Sequence, residues 1–259
     1  GRGVVLDDPT VISLDQRNRD VLAIGSEARE MIGRTPGDIV AERPLRHGAI
    51  TDFDITLRMF RMLLSRTRGM RMGKPRLVLC VPTAITEVER RAVAEAARRA
   101  GAAEVFVIEQ PLAAAIGCGL PVDEPTGSLV VDIGGGTTET ALVSMGNIIA
   151  RHGVRIGGFD IDAAIQNYVR QEYRIALGDR TAEEIKLAIG SAWPTDDDVK
   201  VEVRGRDVRN GLGKLVMLAP EEVREATRTV LRDITESIKV CLAKAPPELA
   251  HDVIEQGMH

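Results

Sequence analysis

Hydrophobic and polar positions follow different periods in different stretches of the chain. Residues 4–6, 11–14 and 21–24 are short β-rich pieces, separated by Asp-Asp-Pro and by a charged segment at 15–20. From Thr51 the period becomes helical: Phe53, Leu57, Phe60 and Leu64 recur behind Asp52, which can cap the first turn. Residues 76–81 are an apolar run of strand length ended by Pro82, as expected of a strand buried on both faces. Thr86 and Glu89 form a capping box for a helix that runs to Arg99 and stops at Gly101. A strand at 104–108 and an Ala-rich helix from Pro111 to Gly117 follow. Strand, helix, strand, helix in this order predicts an α/β sheet with helices on its faces.

The second half repeats the theme. After a turn-rich connection at 121–127 come a strand at 128–131, a glycine cluster, a strand at 139–144, a turn at Gly146-Asn147 and a strand at 148–156. Helices are predicted at 160–172 and 181–189, a strand at 199–204 and a long helix at 221–244. That last helix has Pro220 at its start, Glu221 and Glu222 in its first turn, Lys239 and Lys244 near its end and Pro246-Pro247 beyond it. The expected seam lies near Pro125, giving halves 1–124 and 125–259.

Composition narrows the classes. In 259 residues, 44% are hydrophobic and the net charge is −4, which excludes a disordered chain. No run approaches the roughly 18 apolar residues of a membrane span, and no leader pattern opens the chain, so a soluble cytoplasmic protein is expected. The seven aromatic residues are scattered, which argues against a base-stacking surface for nucleic acid. Cys80, Cys118 and Cys241 lie far apart in apolar contexts, and none pairs with His47, His152, His251 or His259 at ligand spacing. Buried reduced thiols are expected, and a metal, if used, comes with a ligand.

Asp132-Ile133-Gly134-Gly135-Gly136-Thr137-Thr138 carries the candidate chemistry. Consecutive glycines at a strand end expose peptide N–H groups to a phosphate oxygen, and Asp132 sits where a phosphate-bridging magnesium could be held. A P-loop needs Gly-Lys-Ser/Thr opening a helix, and a dinucleotide fold needs Gly-x-Gly-x-x-Gly opening one. Here Thr138–Ser144 alternates like a strand, so neither fits, and the glycines bend a β-hairpin. A tight turn without a ligand remains the alternative.

The run Ser-Leu-Val-Val-Asp-Ile-Gly-Gly-Gly-Thr-Thr-Glu at 128–139 resembles the second phosphate loop of the MreB/Mbl family of bacterial actins, within the actin, sugar-kinase and heat-shock chaperone superfamily. Gly-Arg-Thr-Pro-Gly at 33–37, Lys-Pro-Arg at 74–76, Pro-Leu-Ala-Ala-Ala-Ile-Gly at 111–117 and Arg-Thr-Ala-Glu-Glu-Ile-Lys at 180–186 agree, and the match runs from Gly3 to Met258. The resemblance implies an actin-like (ribonuclease H-like) α/β fold, with two related halves around a nucleotide cleft. It implies an ATP-binding subunit that polymerises with itself into filaments on the inner face of the cell membrane, where it directs cell shape through cell-wall synthesis and morphogenesis proteins.

By resemblance, Gly134, Gly135, Gly136 and Thr137 would grip the β- and γ-phosphates of ATP, Asp132 would face Mg2+, and Thr137 would orient the attacking water. The helix carrying Glu183, Glu184, Ile185 and Lys186 would supply ribose and adenine contacts. Glu183 and Lys186 share a helix face at a spacing of three, which also suits a surface ion pair. Gly157-Gly158 resembles another phosphate-side turn. Where the family usually has Glu-Glu-Pro, this chain has Glu109-Gln110-Pro111. Glutamine can orient water but cannot take its proton, so slow ATP hydrolysis coupled to polymerisation is expected of the completed chain, with poor or no activity in the chain as given. Family members also carry a first phosphate loop before the position of Gly1 and an adenine loop beyond Met258. The expectation is therefore a fragment, the alternative being a diverged nucleotide-independent paralogue. A small-molecule kinase would need a catalytic Asp base and a substrate-domain insertion, neither of which is evident.

No acidic residue falls between Asp54 and Glu87, while Arg58, Arg61, Arg66, Arg68, Arg71, Lys74 and Arg76 are basic. The resemblance implies that the loop within 66–76, with Met70 and Met72, meets an anionic membrane surface. A solvated basic loop is the alternative.

Overall fold

A computed structural model of the chain describes residues 3–35, 37–46, 49–68, 73–194 and 199–259. The chain divides into two units, Gly1–Ala113 and Ala114–His259.

In the first unit, β1 (Ile12–Asp15) pairs antiparallel with β2 (Val21–Ile24), α1 (Ser26–Met31) follows, and β3 (Ile39–Glu42) pairs on the other side of β1. Residues 4–6 form no strand, and Val4 and Val5 are exposed. A small hairpin, β4 (Leu45–Arg46) with β5 (Ala49–Ile50), leads into α2 (Phe53–Arg68). Asp52 Oδ1 accepts from the Ile55 N–H at 3.0 Å, the expected cap. The stripe that α2 buries against the sheet is not the expected one: Ile55 joins Ile12, Leu14 and Ile24 in the core, with Met62 and Leu63 beside it. Phe53, Leu57, Phe60 and Leu64 are half-buried on the same helix. The helix is apolar on two sides because it packs on both the sheet and a later helix, α3, so periodicity alone did not separate them.

Next come β6 (Arg76–Val81), α3 (Glu87–Ala100), β7 (Glu104–Glu109) and α4 (Gln110–Gly117). The capping box of Thr86 and Glu89 and the left-handed Gly101 at φ 116° bound α3 as expected. β6 and β7 pair in parallel, but only one face is covered, since Val78 and Phe106 are exposed. Cys80 and Cys118 are also exposed, and only Cys241 is buried, contrary to the expectation of three buried thiols.

The second unit begins within α4, earlier than the expected seam at Pro125. The connection after α4 belongs to it because Glu124 O accepts from Met145 N at 3.0 Å and Val122 O from Gly146 N at 2.6 Å. β8 (Ser128–Ile133), β9 (Thr138–Ser144) and β10 (Asn147–Val154) form an antiparallel sheet with β9 central and buried throughout. The β9–β10 turn centres on Met145-Gly146, both at positive φ (49° and 72°), because Asn147 already pairs with Ser144. α5 (Gly158–Tyr173), β11 (Ile175–Ala176), α6 (Asp179–Ile189), β12 (Val201–Asp207), β13 (Gly213–Leu218), α7 (Pro220–Leu242) and α8 (Pro247–Gln256) complete the chain. β11, β12 and β13 make a second antiparallel sheet.

Two cores result. Ile165, Val169, Ile175, Ile185, Val203 and Leu218 fill one, and Leu129, Leu142, Ala150, Cys241 and Val253 the other. α7, with 23 residues and so about 34 Å long, joins them by giving Val223 to the first and Cys241 to the second. Its start is anchored by Glu222, whose Oε2 accepts from Ala219 N at 2.9 Å while Oε1 accepts from the hydroxyls of Tyr173 and Tyr168.

Leu142→Ala, at a fully buried site, is expected to lower the unfolding free energy by about 2–5 kcal/mol in urea titration. Leu187→Ala, on the exposed face of α6, should stay within about 0.5 kcal/mol of the parent chain.

Candidate functional site

The glycine cluster bends the chain between β8 and β9, as expected. Asp132 pairs across the hairpin with Glu139 and Ile133 with Thr138, and Gly134 N donates to Thr137 O at 2.8 Å to close the turn. A second turn, at Gly157 and Gly158, lies against it. Gly158 N donates to Gly134 O at 2.9 Å and Phe159 N to Gly135 O at 2.7 Å. The approach is so close that a Cβ at Gly157 would stand 2.5 Å from Gly134 O. Gly157 has an extended backbone at φ −163°, so contact, not conformation, demands glycine there. Asp160 Oδ2 accepts from Gly157 N at 2.8 Å, and Thr138 Oγ1 donates to Ile156 O at 2.9 Å, which fix the second turn from both sides.

These bonds orient the first turn. In a trans peptide the C=O and N–H point in opposite directions, and the chain has no cis peptide. With the carbonyls of Gly134 and Gly135 directed at α5, the N–H groups of Gly135 and Gly136 point away from it together. Successive peptide N–H groups left on one side of a turn can bind an anion.

Asp132 lies one residue before the end of β8, near this turn, and burial pushes its carboxyl above the ordinary range. A dication beside it would favour the ionised form. Among the described residues no group of three or more His, Cys, Asp or Glu is placed to hold a metal. Mg2+ is commonly held by one or two carboxylates with phosphate oxygens and water, and Asp132 offers a carboxylate of that kind. Thr137 is nearly buried at the end of the turn.

The four residues expected on α6 divide. Lys186 Nζ lies 2.8 Å from Asp162 Oδ1 and donates to Gly158 O at 3.1 Å, so it faces the glycine turns. Glu183 is half-buried, and its charge acts on Asp162. Glu184 is exposed and pairs with Arg180 at 2.8 Å, and Ile185 belongs to the core, so their side chains lie off this face. A cavity of about 170 Å³ adjoins Lys186, between Ile161, the end of α6 and Val223 and Thr227 of α7. Neither Asp162 nor this cavity was anticipated; each comes from elements far apart in sequence that only packing brings together.

Gln110 opens α4 in the first unit, and its Oε1 is buried with no hydrogen-bond partner among the described residues. Met70, Arg71 and Met72 lie outside the described residues. Part of the basic stretch is engaged: Arg66 pairs with Asp8 at 3.0 Å, and Arg58 donates to Arg19 O at 2.6 Å.

The family model described as MreB/Mbl protein matches residues 1–259. The chain belongs to the MreB/Mbl family. It is 46% identical to the cell shape-determining protein MreB of Escherichia coli K12, covering 100% of this chain and 76% of that protein. Against the cell shape-determining protein Mbl of Bacillus subtilis 168, identity is 42%, with 100% and 78% covered. MreB 5 of Spiroplasma citri, solved with AMPPNP and also with ADP, superposes with a TM-score of 0.94 at 34% identity, covering 100% of this chain and 78% of that one. A MamK double helical filament, at 17% identity and a TM-score of 0.76, matches in fold. This MreB/Mbl member therefore has the actin-like α/β fold of a cell shape-determining family.

Gly157→Ala is expected to lower stability by about 1–3 kcal/mol in thermal or urea unfolding, because Gly134 O cannot retreat without breaking the turn. Gly213→Ala, at the start of β13 with nothing within 4 Å of its Cβ, is the matched control and should not.

Proposed function

We propose that the chain is an ATP-binding cytoskeletal subunit that forms membrane-associated filaments and acts in cell shape and cell-wall synthesis. The observation that carries the nucleotide part is the interlocked pair of glycine turns beside Asp132, with Lys186 on the adjoining helix. Further support is the likeness to a Spiroplasma citri relative bound to AMPPNP and to ADP. In this reading the N–H groups of Gly135 and Gly136 hold the β- and γ-phosphates, Gly134 shapes the turn, and Asp132 holds Mg2+, which neutralises phosphate charge. Lys186 and Glu183 face the ribose, and the neighbouring cavity is the space for a base.

Thr137 orients the water that attacks the γ-phosphate, and the family resemblance gives Gln110 a part in hydrolysis. An amide accepts and donates hydrogen bonds but does not act as a base, so turnover is slow. The unpartnered Oε1 of Gln110 fits a role toward a bound water. Gln110→Glu is expected to raise the rate of phosphate release about tenfold in a coupled assay with Mg2+-ATP. An equal or lower rate removes the argument from the missing base.

Association with a membrane surface rests on the basic residues of 58–76, together with Met70 and Met72. The chain should co-sediment with vesicles containing anionic lipid and lose most of that binding at high salt, because Debye screening shortens to about 3 Å near 1 M. Equal recovery with neutral vesicles would favour a solvated basic loop.

A further inference from the structure

Lys186 reaches from α6 to α5, and what it meets there is set by Asp162. Its ammonium lies 2.8 Å from Asp162 Oδ1, with the two side chains only 21% and 10% exposed. It also donates to Gly158 O at 3.1 Å. Burial pushes the Asp162 carboxyl above its ordinary range, while the hydrogen bond and charge of Lys186 pull the other way and Glu183 and Asp179 add to the rise. A carboxylate so withdrawn from water depends on its cation, and the cation is held where the carboxylate is.

An ammonium has three N–H donors. One is engaged by Gly158 O, and the ion pair with Asp162 Oδ1 keeps the ammonium at this end of α5 with donors left for a ligand. Gly158 in turn donates to Gly134, so the linkage runs from α6 through Lys186 to the first glycine turn. A lysine on four rotatable bonds would otherwise sample many positions and lose entropy on meeting a ligand.

We infer that Asp162 is a positioning residue that acts through Lys186, its charge holding the ammonium against the Gly158 turn so that a free N–H meets the sugar of a bound nucleoside diphosphate or triphosphate. This rests on the nucleotide reading above. It adds a residue that touches no ligand itself and joins the sugar side of the site to its phosphate side.

The test is a double-variant cycle in the whole 259-residue chain, using Asp162→Asn, Lys186→Gln and both together. Binding of a fluorescent ADP derivative with Mg2+ is measured beside competition by inorganic pyrophosphate. Each single variant is expected to weaken the ADP derivative about tenfold, with the double variant no weaker than Lys186→Gln alone. Pyrophosphate affinity should change less than about twofold in Asp162→Asn, since that probe lacks a sugar. Losses that multiply in the double variant, or an equal loss for pyrophosphate, would overturn the proposal. A second readout needs no ligand: acetylation of Lys186 by an amine-reactive reagent, followed by peptide mass spectrometry, should run several-fold faster in Asp162→Asn. An unchanged rate would refute the hold of Asp162 on Lys186. Asp162→Ser serves in both assays if Asp162→Asn does not fold. Failure of the parent chain to bind the ADP derivative would overturn the nucleotide reading and the sugar contact with it, while the acetylation rates judge the positioning separately.

Discussion

Two peptide hydrogen bonds, Gly158 N–H to Gly134 O and Phe159 N–H to Gly135 O, govern the rest of the site. They bring one turn so close to another that a single methyl group at Gly157 would meet a carbonyl oxygen at 2.5 Å. They place the start of α5, and through the trans peptide they turn the opposite N–H groups of the first turn to one side. Glycine is thus required for contact at 157, and the direction of the Gly135 and Gly136 N–H groups follows from that contact.

The surroundings keep this arrangement from relaxing. β8 and β9 flank the first turn as a paired hairpin, and every residue of β9 is buried. α5 is held at its start by the turn and near its end by Tyr168 and Tyr173, both bonded to Glu222 of α7. That bond, with burial and the carboxylate's charge, pushes the Tyr173 hydroxyl up to about 12, so it stays protonated and donating across the physiological range. A loop with peptide groups fixed in advance loses little freedom on binding an anion, which is where preorganisation gains affinity. Burial raises the Asp132 carboxyl above its ordinary value, and a cation beside it would favour the ionised form.

Much of this was legible in the sequence, for identifiable reasons. Local signals held: the Thr86/Glu89 box, Gly101 as a left-handed cap, Pro220 with Glu222, and three glycines between alternating strands each act within a few residues. What failed depended on partners. The buried stripe of α2 passes through Ile55 and not through Phe53 and Leu57, because two different neighbours cover the helix. The apolar run of β6 suggested a strand buried on both faces, yet Val78 is exposed. The seam moved from Pro125 into α4 because backbone bonds from the β9–β10 turn capture residues 122 and 124. At the site, the shared face of Glu183 and Lys186 was readable from their spacing. The partner of Lys186 was not, since Asp162 lies on a different helix and no short-range pattern links them.

The proposed function depends on the N–H groups of Gly135 and Gly136 meeting phosphate oxygens. The most direct measurement is a titration of the chain, labelled with 15N at glycine, with Mg2+-ADP, following the amide resonances by NMR. The signals of Gly135 and Gly136 are expected to move on binding, with those of Gly178 and Gly211 unmoved. Saturable binding that leaves Gly135 and Gly136 in place, or no binding at all, would contradict it.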